Sequence, residues 1–285
     1  MVAIGGKGSA VRYLVATLVV ALLATLVGPG STASAVDDAA PAAATEPASQ
    51  RAPATPAATT INTAGLAGAV GAVAAALNPR VVEVFGDSIL WRLSTGWLGT
   101  RLAQKGAQGI LGGAPATGPL DYQGAWLTYI WWYGLVYRPN VLIIGACCAY
   151  GVEAQSLSRD NAGRIIYPGS ESMYDYWELV MFYIALVATY YGARVYIHET
   201  PTPVPGSYYD LLYGQMISRL NESYRKIADL VPNTYLMKWD SFLTYGGQWV
   251  YNHPTYGNVR QADGEHLTDT SQPIAADYII KLLYG

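Results

Sequence analysis

From residue 81 onward the chain switches between two hydrophobic patterns. Val81 to Gly86 reads VVEVFG, and 140–148 reads NVLIIGACC. Short, nearly continuous apolar runs of this kind suit strands covered on both faces. ARVYIHE at 193–199 and TYLMKWD at 234–240 predict two more strands, and a short one is expected around Ala107 to Leu111. Helical patterns lie between them. Tyr213, Ile217, Leu220, Tyr224 and Ile227 recur at spacings of four and three, which places them on one helix face. Pro232-Asn233 closes that helix. Leu179 to Tyr191 is uncharged, apolar and too short to span a bilayer, so it reads as a buried core helix. PIAADYIIKLLYG closes the chain, with Ser271 as the expected N-cap and Pro273 in the first turn. Strands alternating with helices imply parallel pairing through right-handed crossovers. The expected domain is a three-layer α/β/α sandwich.

The first 62 residues break this rhythm. Lys7 and Arg12 precede an apolar run from Tyr13 to Val27, Gly28-Pro29-Gly30 ends the run, and Ala33-Ser34-Ala35 gives a cleavage signature. This is the three-part pattern of a secretory signal peptide over 1–35, and the run is shorter than the roughly 20 residues of a spanning anchor. Residues 36–62 are rich in Ala, Pro and Thr and have no apolar period, so they are expected to form a disordered linker. TAGLAGAVGAVAAALN, after it, reads as a short Ala-rich helix leading into a domain spanning 63–285. Loss of Lys7 and Arg12 would leave 15 basic and 20 acidic residues, shifting the net charge from -3 to -5. Nothing in that balance favours nucleic acid or an anionic membrane as partner.

Two short stretches carry candidate chemistry. In VVEVFGDSIL a glycine, an acid and a hydroxyl follow directly on a strand. Open parallel sheets bind ligands outside the carboxyl ends of their strands, which is where Ser88 falls. At the start of the next helix its own N–H points into the site. The plain alternative is that Ser88 only caps that helix. In QADGEHLTD, Asp263 and His266 lie three residues apart. On one turn the carboxylate can hold the imidazole Nδ1–H and leave Nε2 free to accept a proton. The plain alternative here is a surface loop with a cap. His198 ends a strand and reads as a packing residue, and His253 sits in a turn-rich loop; both are weaker candidates than His266. Three scattered histidines and no thiol–histidine spacing suggest no metal site and no cofactor.

Gly86-Asp87-Ser88 after an N-terminal strand, with Asp263-Gly-Glu-His266-Leu before the last helix, resembles the SGNH (GDSL-type) hydrolases over about residues 80–285. The resemblance implies a flavodoxin-like parallel sheet of about five strands in the order 2-1-3-4-5. It implies esterase, lipase, deacetylase or acyltransferase chemistry with Ser88 as nucleophile, His266 as base and Asp263 as its partner. Asp87 would hydrogen-bond around the turn. The family's oxyanion donors map onto the Ser88 N–H, onto Gly112 or Gly113 in GILGGAPATG, and onto an asparagine side chain. Cys147 stands where that asparagine belongs, and a thiol is a poor donor. Asn140 lies at the wrong end of its strand to replace it. Cys147 and Cys148 are the only cysteines. Two buried thiols are the favoured expectation over a strained ring between neighbours, which would stiffen the turn and could aim a backbone N–H into the hole.

The chain holds 23 Tyr and 8 Trp against 3 Phe. AWLTYIWWYGLVY at 125–137 is apolar on every side of a helix, which fits core packing or, alternatively, a platform for sugar rings or an acyl chain. Three functions remain in view. One is a secreted serine esterase acting on a small ester or on an acylated glycan or lipid of the cell envelope. The second is an acyltransferase on the same three residues, and the third a non-catalytic envelope- or carbohydrate-binding module.

Overall fold

The computed structural model describes residues 79–121, 125–147, 158–159 and 163–285. The stretches expected to be a signal peptide, a linker and an Ala-rich helix, and Cys148, lie outside the described residues. Within the compact unit Asn78–Gly285, five strands form one sheet: β1 Val81–Gly86, β2 Gln108–Gly113, β3 Val141–Gly145, β4 Arg194–His198 and β5 Thr234–Met237. Every neighbouring pair is parallel and the order is β2-β1-β3-β4-β5. The expected architecture and strand order are both present. The helices are α1 Ser88–Leu93, α2 Gly99–Gln104, α3 Ala125–Tyr137, α4 Glu171–Tyr190, α5 Tyr208–Leu230, the single turn α6 Asp240–Leu243 and α7 Ser271–Tyr284. A π-helical segment, Ser94–Leu98, joins α1 to α2. Two small hairpins, β6 Thr244–Tyr245 with β7 Gln248–Trp249 and β8 Asn252–His253 with β9 Gly257–Asn258, lead to the loop before α7.

Alternation along the central strands sorts the two faces. Val82, Val84, Val141 and Ile143 point into a cluster completed by Ile89, Leu90 and Leu93 of α1, Leu102 of α2, and Ala275, Ala276, Ile279 and Leu283 of α7. On the opposite face Phe85 meets Trp126 of α3 edge-on at 4.9 Å, and α3, α4 and α5 pack side by side. Glu83 also belongs to this face. It is fully buried on the interior strand β1, and neither carboxyl oxygen has a hydrogen-bond partner among the described residues.

Several boundaries differ from expectation. β5 stops at Met237, because Asp240 already starts the turn α6. The strand expected over 140–148 ends at Gly145. The helix expected from Leu179 begins at Glu171, where Ser170 Oγ accepts from Met173 N–H, and both Leu179 and Tyr190 are exposed. Ser271 is the first residue of α7 and not its cap; its hydroxyl donates to the Val259 carbonyl at 2.6 Å, tying the helix to the preceding loop. In α3, Trp126, Leu127, Ile130 and Gly134 are buried while Tyr129, Trp132, Leu135, Val136 and Tyr137 are exposed. Among the described residues no helix is long and apolar enough to cross a membrane.

Candidate active site

The carboxyl ends of three neighbouring strands carry glycine in register: Gly86 of β1 pairs with Gly113 of β2 and with Gly145 of β3. At Gly113 the backbone has φ +90°, and a Cβ there would lie 1.9 Å from the Gly86 carbonyl oxygen. At Gly86 it would strike the Leu90 Cβ at 2.4 Å. The strands can therefore end flush, and the chain turns at once into α1. Asp87 caps that helix. Its Oδ1 accepts from Ile89 N–H at 3.0 Å and its Oδ2 from Cys147 N–H at 2.9 Å. The alternative in which Ser88 is the cap is thus corrected: Ser88 is the first helical residue. Its N–H has no intrahelical acceptor at that position, and its side chain is free to face the site. Burial pushes the Asp87 carboxyl up, against the pull of the Ile89 and Cys147 N–H groups.

The second group arrives from the far end of the sequence. Arg260 and Leu267 bridge antiparallel, and Gln261 N–H donates to the His266 carbonyl at 2.8 Å, so 261–266 closes as a tight loop. Asp263 Oδ1 accepts from the N–H groups of Glu265 at 2.9 Å and His266 at 3.1 Å. Its Oδ2 meets His266 Nδ1 at 2.8 Å. His266 Nε2 lies 2.8 Å from Ser88 Oγ. Ser88, His266 and Asp263 are therefore brought into one hydrogen-bonded line. The His266 and Asp263 side chains are only 15% and 26% exposed, which limits solvent screening. Burial works to raise Asp263, but the bond to His266 and the two backbone donors outweigh it and hold the carboxyl at about 2. Burial works to lower His266; the bond to Asp263 and the charges of Asp263, Asp87 and Glu265 overcome it, so the imidazole sits above its ordinary range. The Tyr209 ring, from the first turn of α5, stands edge-on to His266 at 5.4 Å.

The remaining sites separate. Gly113 ends β2 beside Gly86, whereas Gly112 lies one residue earlier, where a Cβ would sit 2.4 Å from the Phe85 ring. The proposed role of Cys147 as an oxyanion donor is corrected. Its N–H is taken by Asp87, and its sulfur is disulfide-bonded, so the expectation of two free thiols is corrected as well. The only other cysteine in the sequence is Cys148. Asn140 Oδ1 accepts from the N–H groups of Arg80 and Val81 at the opposite end of the sheet. His198 is buried against Trp239 with rings 4.0 Å apart, and burial together with the Arg260 charge pulls it to about 3. His253 stacks on Tyr256 in the β8–β9 hairpin. Sequence reasoning missed Arg260 and Glu265, both fully buried beneath the Asp263–His266 loop.

No family model matches the chain, and no curated protein matches it. Solved structures do. One is a protein assigned as an acylhydrolase from Bacteroides fragilis, with 15% identity, TM-score 0.50, 72% of this chain and 86% of that one covered. Another is a GDSL-like lipase from Bacteroides thetaiotaomicron, at 15% identity, TM-score 0.49, and coverage of 77% and 96%. A protein assigned as an SGNH hydrolase from Slackia heliotrinireducens gives 14%, 0.47, and coverage of 73% and 100%. With its five-stranded parallel sheet in the order β2-β1-β3-β4-β5, flanked by helices on both faces, the chain has the fold of the SGNH (GDSL-type) hydrolases.

Proposed function

We propose that this protein is a serine hydrolase that cleaves carboxylic esters with Ser88 as nucleophile, His266 as general base and Asp263 as the group that orients the base. The observation that carries the reading is the continuous path Ser88 Oγ–His266 Nε2–His266 Nδ1–Asp263 Oδ2, with 2.8 Å at each of its two hydrogen bonds. Asp263, ionised above about pH 2, fixes the Nδ1–H tautomer and balances the imidazolium that forms. Ser88 Oγ attacks the ester carbonyl carbon as Nε2 takes its proton. The negative charge on the carbonyl oxygen is met by the Ser88 N–H at the start of α1, and Gly113 is the better placed of the two glycines for a second donor. Collapse of the tetrahedral intermediate releases the alcohol, protonated from Nε2, and leaves an acyl-serine. Water then repeats the sequence with His266 as base.

Apolar groups beside the site favour a substrate with an apolar or ring-bearing substituent. Tyr209 borders His266, and Tyr208 and Leu211 of the same helix start are exposed. An acylated glycan or lipid of the cell envelope meets this description. Incubation with a fluorophosphonate probe tests the nucleophile: Ser88 is expected to label, with loss in Ser88→Ala. An unlabelled parent protein would favour a non-catalytic binding role. Because His266 must be neutral to act, kcat/KM is expected to rise with pH along a limb centred above the ordinary histidine value of 6.5. Asp263→Asn should move that limb to lower pH and reduce its height; an unmoved limb in a folded variant would separate Asp263 from the base.

The export reading belongs to the same proposal. Lys7, Arg12, the apolar run and Ala33-Ser34-Ala35 support cleavage after Ala35, giving a secreted or envelope-associated enzyme. N-terminal sequencing of the exported protein is expected to begin at Val36. A chain still starting at Met1 would indicate an anchor.

A further inference from the structure

Beneath the loop that carries Asp263 and His266 lies an ion pair that no step above uses. The side chains of Arg260 and Glu265 are both 0% exposed, with Nη1 3.4 Å from Oε2. The same Nη1 donates to the Gly264 carbonyl at 2.8 Å, and the guanidinium lies 5.2 Å from the centre of the Trp249 ring. The Gly264 carbonyl also accepts from Val204 N–H at 3.0 Å, and Tyr209 N–H donates to the Asp263 carbonyl at 3.2 Å. Gln261 Nε2 reaches the Leu267 carbonyl at 2.9 Å. The loop is thus gripped from inside by Arg260 and from the side by the start of α5, while Asp263 and His266 face outward to Ser88.

As a stabilising device the pair is poor. Desolvating two charges costs more than their attraction returns unless every donor and acceptor is used, and apolar replacement of a buried pair is often neutral or stabilising. Here Arg260 Nε and Nη2 and Glu265 Oε1 have no partner among the described residues. Its location, one residue from His266, points to another role.

Resting on the esterase reading, we propose that Arg260 and Glu265 are positioning residues for His266: Arg260 holds the loop through the Gly264 carbonyl and the Glu265 side chain, and so keeps the imidazole opposite Ser88 Oγ. The charged and titratable groups facing this assembly are Asp87 from the cap of α1, Asp263 on the loop, Tyr209 from α5, Tyr251 from the hairpin region and His198 from β4. Asp263 and Asp87 raise His266, while burial pushes the Glu265 carboxyl itself up to about 8, against the pull of the Arg260 charge.

Glu265→Leu removes the acceptor for Arg260, whereas Glu265→Gln keeps one. Glu265→Leu is expected to lower kcat about 3- to 10-fold with KM unchanged, and Glu265→Gln to stay within about twofold of the parent. The double variant Arg260→Met/Glu265→Leu separates positioning from stability. It is expected to melt at or above the parent temperature and yet lose at least tenfold in kcat. Parent kcat in folded Glu265→Leu or in the folded double variant, or a Glu265→Gln as slow as Glu265→Leu, would overturn the proposal; should the double variant fail to fold, the two Glu265 variants decide alone. An unlabelled parent in the fluorophosphonate assay would instead overturn the esterase reading, so the two failures are distinct.

Discussion

Ser88→Ala, His266→Ala and the double variant are expected to turn over a short-chain aryl ester at one common residual rate, on the order of 10^4- to 10^6-fold below the parent. The reason is that Ser88 Oγ and His266 Nε2, 2.8 Å apart, form one proton-transfer route. Removing either end abolishes it, and removing the other end afterwards costs nothing more. What survives would come from binding and from the N–H groups around the oxyanion, which all three variants retain. Asp263→Asn should keep somewhat more activity, because Nε2 remains opposite Ser88 even when the tautomer is no longer enforced. Initial rates over matched protein concentrations, with melting temperatures to exclude misfolding, check the result. A Ser88→Ala variant as active as the parent would remove the nucleophile from the reading. A double variant far slower than either single one would show two independent contributions.

The largest expected effect on stability lies on the other side of the sheet. Glu83 sits between Ile110 and Leu142 in register on the interior strand β1 and is fully buried, and burial pushes its carboxyl up to about 8. An unfolded chain would release that proton near 4.5. Between these values the native state holds a proton that the unfolded state has lost. Stability therefore falls as pH rises through the window, by up to about 1.4 kcal/mol per pH unit. Glu83→Gln removes the dependence. Relative to the parent it is expected to be close to neutral at pH 4.5 and to gain about 3 kcal/mol near pH 7. That gain corresponds to a rise in Tm of roughly 6–12 °C for a domain of this size. Thermal melts of parent and variant across this range measure the difference directly. A gap that does not widen with pH would mean that Glu83 is ionised in the native protein.

The strands, and the placing of Ser88, Asp263 and His266 at their carboxyl ends, were legible because they depend on local pattern. A buried parallel strand must be apolar, and a turn into a helix at its end needs residues such as Gly86, Asp87 and Ser88. The spacing of Asp263 and His266 likewise sets their geometry within one turn. What escaped was set by neighbours distant in sequence. GDS offers two residues able to cap a helix, and only the fold shows that Asp87 does so while also receiving Cys147 N–H. AWLTYIWWYGLVY has no charged residue to mark its outer side, so packing decides that Trp126 is buried and Trp132 is not. Arg260 and Glu265 sit in a stretch that reads as a polar surface loop. Their burial follows from the Trp249 hairpin and the start of α5 closing over them, which no local periodicity records.

The separation of Ser88 from His266 by 178 residues has a consequence in time. At 5–20 residues per second, His266 leaves the ribosome roughly 10–40 s after Ser88. The core beneath α1 is completed by Ala275, Ala276, Ile279 and Leu283 of α7, which arrive later still. Until then Ser88 has neither the imidazole opposite it nor a firm seat. On the esterase reading, a nascent chain halted before α7 would be inert toward acyl esters, and reactivity would appear only once the His266 loop and α7 have folded onto the sheet.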